Sequence, residues 1–185
     1  MTDARPILFG KLPTHGDFIA RGLDLAAVGA WDAWVSDGLE AARVALGERF
    51  DAEHERTPPW RFVDGPGPLG AAWRAGAMAP SIDAAGRRFM IVLAADGLSA
   101  DEASAGEVLA EAMEGLIYDA FEQGWDADRV IQATGAPIAG VAASAAPPPR
   151  RRWWTLGGPD HGPAAVEGGP ERVFEQIFAA SQGAA

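Results

Sequence analysis

The chain has 185 residues, 48% of them hydrophobic, with no cysteine and a formal net charge of −11. That length and apolar content suit one folded domain with its own core, not a disordered chain or a comfortable pair of domains. The acidity argues against a nucleic-acid or anionic-lipid partner, and the lack of cysteine removes disulfides, thiol catalysis and thiolate metal sites, as in a protein of the reducing cytoplasm.

In chain order, Ile7, Leu8 and Phe9 predict a buried strand that Gly10 and Pro13 end. The next residues, Lys11, Thr14, His15 and Asp17, concentrate polar chemistry in one turn. Asp17 reads best as the cap of a short helix over residues 18–21. Over residues 23–46, Val28, Trp31, Val35, Leu39, Ala42 and Leu46 recur every three or four positions and predict a long helix with one apolar face, ended by Gly47. Residues 48–57 are polar, and Pro58 and Pro59 forbid a helix beyond them. Strands are predicted at 60–63, 71–78 and 88–95. The last two form a hairpin whose tip is a second polar loop, Pro80 through Arg87. The uninterrupted apolar run Phe89 to Leu93 requires cover on both faces of its sheet.

Ser99 and Glu102 have capping-box spacing, and Val108, Leu109, Met113, Leu116, Ile117 and Phe121 form an apolar stripe that Gly124 closes. Asp126 caps a shorter helix through Gln132. Residues 142–149, ending in three prolines, read as an exposed extended connection. A last strand spans 152–156, and Pro170 with Glu171 opens a terminal helix burying Val173, Phe174, Ile177 and Phe178. Interleaved strands and helices predict an α/β fold: a single-domain three-layer α-β-α sandwich with a mixed sheet over residues 1–180, with 181–185 a disordered tail. The alternative is a two-layer α+β sheet with helices on one side.

Several motifs weaken under scrutiny. Gly65-Pro66-Gly67-Pro68-Leu69-Gly70 matches a dinucleotide-loop pattern, yet two prolines remove N–H donors and a strand follows, so it reads as a tight turn. None of the three histidines, His15, His54 and His161, lies four residues from another, so a helical metal pair is absent; no metal or other cofactor is expected. Ser81 lacks the elbow that exposes a serine nucleophile, and Asp83 is placed to bond its own loop while Arg87 bridges to Asp83 or Asp17. Lys11, His15 and Arg88 are left as binding candidates. Trp153 and Trp154 alternate along a strand and point to opposite faces, so one of them is expected to be exposed for a partner. Arg150, Arg151 and Arg152 read as an acidic-protein docking site or an edge-strand guard.

Read together, these segments resemble the TagF (ImpM) family of type VI secretion accessory proteins. The match is carried by Gly10-Lys11-Leu12-Pro13 with Gly16-Asp17-Phe18, Trp31-Asp32 with Trp34, Pro59-Trp60-Arg61-Phe62, Pro80-Ser81 with Asp83, Gly86-Arg87-Arg88-Phe89, Trp153-Trp154, and Pro170-Glu171 with Phe174. Met90 departs from the family's usual proline. The resemblance implies a cytoplasmic α/β protein without catalytic residues or cofactor. It implies a post-translational repressor that binds a forkhead-associated scaffold protein of the apparatus, with neither nucleic acid nor membrane insertion. The partner or loop-site candidates are Lys11, His15, Asp17, Ser81, Asp83, Arg87, Arg88, Trp153 and Trp154. Two rival expectations are a small-anion enzyme using Lys11, His15, Asp17, Ser81 and Asp83, and a structural subunit of the secretion machine.

Overall fold

Two long strands hold the middle of the sheet: β4 (Trp73–Ile82) and β5 (Arg88–Leu98), paired as an antiparallel hairpin from the Leu98 end to its tip. They belong to a computed structural model that describes residues 4–141 and 150–179. The other strands are β1 (Arg5–Gly10), β2 (Ile19–Arg21), β3 (Trp60–Asp64), β6 (Arg152–Thr155) and β7 (Ala164–Glu167), and the order across the sheet is β2-β1-β5-β4-β3-β6-β7. Every pairing among the described residues is antiparallel. The α/β content is as expected, but the mixed sheet is not found. Helices that interleave with strands force parallel neighbours only when they return to an adjacent strand. Here α1 (Leu25–Leu46) and α2 (Phe50–Arg56) carry the chain from β2 to β3. Helices α3 (Ala100–Ala103), α4 (Gly106–Gln123) and α5 (Ala127–Ala139) carry it from β5 to β6. Each crossover skips intervening strands.

Strand alternation sorts the core into two clusters. Ile7, Phe9, Val92 and Ala94 pack with Trp31, Val35 and Leu39 of α1 and with Val173 and Ile177 at α6 (Val173–Ala179). Leu8, Ile91, Leu93 and Ala95 pack with Leu109, Met113 and Ile117 of α4 and Val130 of α5. This explains the apolar run at 89–93: from Met90 onward successive side chains enter alternate clusters, and Phe89 joins Met90 in the first. The first cluster is rich in aromatics, with Phe62 stacked on Trp153 at 4.3 Å between ring centroids. The second lines β4 with Ala75, Ala77 and Ala79, so α4 lies close; a Cβ on Gly106 would stand 3.1 Å from that of Ala75. Full burial of each Leu, Ile or Met contributes about 1.5–3 kcal/mol.

The chain departs from its sequence reading in six places. Strand β4 runs on to Ile82, so Pro80, Ser81 and Ile82 belong to the strand and the loop at the tip is confined to residues 83–87. Residues 19–21 form a strand, not a helix capped by Asp17, whose Oδ1 instead accepts from the Phe18 N–H. The polar stretch after Gly47 contains α2, which buries Phe50 and His54 against the sheet. The capping box of Ser99 and Glu102 starts the short α3 and not α4. The helix capped by Asp126 runs on to Ala139. Strand β7 covers β6, so the arginines at its start guard no sheet edge; Arg151 pairs with Asp64 at 2.9 Å and Arg152 with Glu107 at 3.2 Å. The predicted connection at 142–149 and the tail at 181–185 lie outside the described residues.

The Gly65–Gly70 motif is a turn, closed by reciprocal Gly67–Gly70 backbone hydrogen bonds of 2.9 and 3.1 Å. It folds over buried charge that the sequence did not announce. Arg74, 1% exposed, sits between Asp64 and Asp96 at 3.5 and 3.1 Å. The guanidinium of Arg74 occupies the space where a Cβ on Gly70 would stand, and Arg151 comes within 2.7 Å of the corresponding point on Gly67. Burial pushes the Asp64 carboxyl above the usual range against the opposing pull of Arg151 and Arg74.

Candidate functional site

The two polar loops meet. The loop after β1 leaves the sheet at Gly10, whose φ of +119° and close approach to the Met90 carbonyl exclude a side chain. Lys11 then turns inward. It is 5% exposed, its Nζ lies 3.0 Å from Asp83 Oδ2, and the Phe18 ring lies beneath it at 5.0 Å. A buried ammonium is tolerable only when paired and hydrogen-bonded in this way. Ser81 Oγ donates to the Lys11 carbonyl at 2.7 Å, and the Ala84 N–H donates to the His15 carbonyl at 2.8 Å. Arg87 donates to the Gly16 carbonyl at 2.8 Å and to Asp83 Oδ2 at 2.6 Å.

Asp83 organises the hairpin tip. Its Oδ1 accepts from the Ala85 and Arg87 N–H groups, each at 2.9 Å, and its Oδ2 accepts from Lys11 and Arg87. Burial alone raises a carboxyl pKa, but these four donors outweigh it and hold Asp83 well below the usual carboxylate range. Gly86, with φ of +78°, supplies the left-handed residue that lets the tip close.

A third segment joins the two loops, and the sequence reading missed it. Thr14 Oγ1 donates to the Trp125 carbonyl at 2.9 Å, and His15 Nε2 accepts from the Ala127 N–H at 3.1 Å. The link between α4 and α5 is thus clamped to the first loop at the start of α5. The available signal was local: Gly124 stops one helix and Asp126 caps the next, which leaves Trp125 at an obligatory corner.

The remaining candidates are placed as follows. Asp17 is exposed and bonds only its neighbour's N–H among the described residues. Arg88 reaches Asp51 at 3.4 Å and Glu55, tying α2 to the sheet end. Trp153 and Trp154 do face opposite clusters, yet both are buried, at 0% and 6% exposure, so neither offers the exposed aromatic area expected of one of them. The packing on each face is the reason: Trp153 lies against Phe62 and Trp34, and Trp154 joins the cluster under α4 with the Arg152 guanidinium over its ring. Beside the loops Phe18 is 48% and Ile82 40% exposed; Leu25, Val44, Val108, Tyr118 and Leu156 are exposed elsewhere on the surface. A shallow cavity of about 200 Å³ adjoins them, lined by Pro13, Pro80, Ile82, Phe121 and His54.

Chemically, the junction spends its polar groups on itself. The Ser81 hydroxyl donates to a carbonyl, and His54, across the same cavity, holds its Nε2 2.7 Å from the Phe89 carbonyl. Neither is set as a nucleophile against a base. No group of three or more His, Asp or Glu side chains is arranged to hold a metal ion among the described residues. Likewise no helix among them is long and apolar enough to cross a membrane.

The comparisons with known proteins fit this architecture. A crystal structure of PA0076 from Pseudomonas aeruginosa PAO1 superposes with a TM-score of 0.75 at 25% sequence identity, covering 94% of this chain and 93% of that one. No curated protein matches the chain. The family model for the TagF N-terminal domain, type VI secretion system-associated, matches residues 8–136, a span that includes both loops and the α4–α5 corner. The chain therefore belongs to the TagF family of type VI secretion-associated proteins.

Proposed function

We propose that this accessory protein of type VI secretion is a post-translational negative regulator that acts in the cytoplasm by binding a forkhead-associated scaffold protein of the apparatus. The observation that carries the reading is the construction of the loop junction. Lys11, Ser81, Asp83 and Arg87 are consumed in mutual bonds, which leaves a rigid rim that presents Phe18 and Ile82 and no free reacting group. A preorganised rim with apolar anchors suits recognition, because little entropy is lost on docking. Repression then follows from mass action, since a scaffold held in the complex is withdrawn from assembly without turnover.

Two measurements test it. Deleting the gene should raise type VI secretion, and the purified protein should capture the scaffold. Ile82→Asp alters an exposed side chain, and Phe18→Leu trims the ring while keeping apolar cover beneath Lys11; each should weaken capture, the first at least about tenfold, with circular dichroism unchanged. Unaltered secretion on deletion, or capture indifferent to both substitutions, overturns the proposal.

A further inference from the structure

On the opposite face of the sheet from α4 and α5, helices α1 and α6 lie side by side and enclose an open trough of about 510 Å³. Its floor is apolar and low: Ala41, Ala42 and Ala45 on one side, Phe174 and Phe178 on the other. The lining of α1 runs from Trp34 to Ala45, about 16 Å at 1.5 Å per residue, or three helical turns. The rim is acidic. Asp37 stands on the α1 wall without an ion-pair partner among the described residues; Glu171, on the opposite wall, makes no ion pair with them within 4 Å, though the Arg151 guanidinium approaches its carboxylate beside Gly169. Glu175 pairs with Arg172 at 3.2 Å, but both side chains are about two-thirds exposed, so that pair holds weakly. No lysine or arginine lines the trough.

We propose that this trough receives a basic amphipathic helix of a partner protein, whose apolar stripe lies on the alanines and phenylalanines while lysines or arginines flank it and meet Asp37 and Glu171. The floor of small residues lets a second helix backbone come close, and its length matches three turns of one. Charge decides between occupants. An anionic lipid surface is repelled by the rim and by the chain's net charge of −11. A second copy would bring the same acidic rim against this one in an isologous contact. A cationic helix is the occupant for which both floor and rim are complementary. The trough is separate from the loop junction, so this inference stands whether or not the junction binds a scaffold.

The probe is a pair of 15-residue amphipathic peptides with one apolar face and either lysine or glutamate flanks, titrated into the full chain. The expected result is amide shifts confined to α1 and α6 and at least about tenfold tighter binding of the lysine peptide. Asp37→Lys and Ala41→Gln, both exposed helix positions, should each weaken that binding about tenfold, while Val108→Gln on α4 should not. Absent binding, equal binding of the two peptides, or shifts centred elsewhere overturns it. So does a dimer dissolved by Ala41→Gln, or binding that appears only after residues 180–185 are removed, because either result names a different occupant.

Discussion

Two oxygens of Asp83 serve four donors, and that ratio makes the residue hard to replace. Asparagine keeps the size but offers one acceptor oxygen and places an NH2 against Lys11 and Arg87, themselves donors only. Lys11 is then a buried cation without its counter-charge. Asp83→Asn should therefore lower the unfolding midpoint in urea far more than Arg87→Ala. The latter removes a partner whose side chain is 59% exposed and should cost at most about 1 kcal/mol. Equal effects of the two substitutions would show that the Lys11 pair carries no special weight. The indoles follow a different logic. The Nε1 atoms of Trp31, Trp60 and Trp153 are buried without a hydrogen-bond partner among the described residues, so these tryptophans are present for mass and ring contact.

At the scale of elements, the contact of α6 on α1 turns on one missing methyl. A Cβ on Gly38 would overlap the ring of Phe174, which packs edge-on against Trp34 at 4.9 Å. Gly38→Ala gains about 1 kcal/mol in helix propensity. It loses about 1–3 kcal/mol to overpacking, because Phe174 has Trp34 and Phe178 on either side. The net expectation is a destabilised protein whose C-terminal helix is cleaved sooner in limited proteolysis; a more stable variant would mean that Phe174 has room to move. Gly38 illustrates what the sequence conceals. The period of α1 was legible in Trp31, Val35, Leu39, Ala42 and Leu46, all of which are buried. Where another helix crosses it was not, since that is a fact of tertiary packing. The same division runs through the rest. Strong runs such as 89–93 and local signals such as Gly47, Gly124 and Asp126 were readable because sterics and capping act within a few residues. Strands β2 and β7, of three and four residues, were not, because so short a strand is defined by its neighbour and not by its own pattern. The Arg87–Asp83 bridge at the loop junction was legible in the spacing of those two residues, whereas the clamp of Thr14 and His15 on the α4–α5 corner spans more than a hundred residues and left no local trace.

For the molecule as a whole, acid acts through distinct groups in distinct windows. His54 is 1% exposed under α2. Burial lowers its pKa from 6.5; the carbonyl of Phe89 favours the cation, and the charges of Arg88 and Arg43 oppose it. Unfolded, the ring takes a proton near its ordinary pKa; folded, it does so only at lower pH. The unfolded state therefore binds more protons in the window below 6.5, and stability falls as the pH drops through it. One proton limits the slope to about 1.4 kcal/mol per pH unit. Asp83, held low, keeps its contribution until the pH falls below 3.8, where the unfolded chain protonates first. Asp64, held high, has the opposite sign: folding favours its protonated form, so it adds stability at low pH that fades as the pH rises through its folded value. Urea unfolding between pH 7 and pH 5.5 lies above the carboxylate reference value of 3.8, so it isolates the histidine from Asp83. His54→Gln keeps a donor for the Phe89 carbonyl and removes the proton. It should flatten the part of the pH dependence that His54 causes, and a slope identical in both proteins would assign that dependence to other groups.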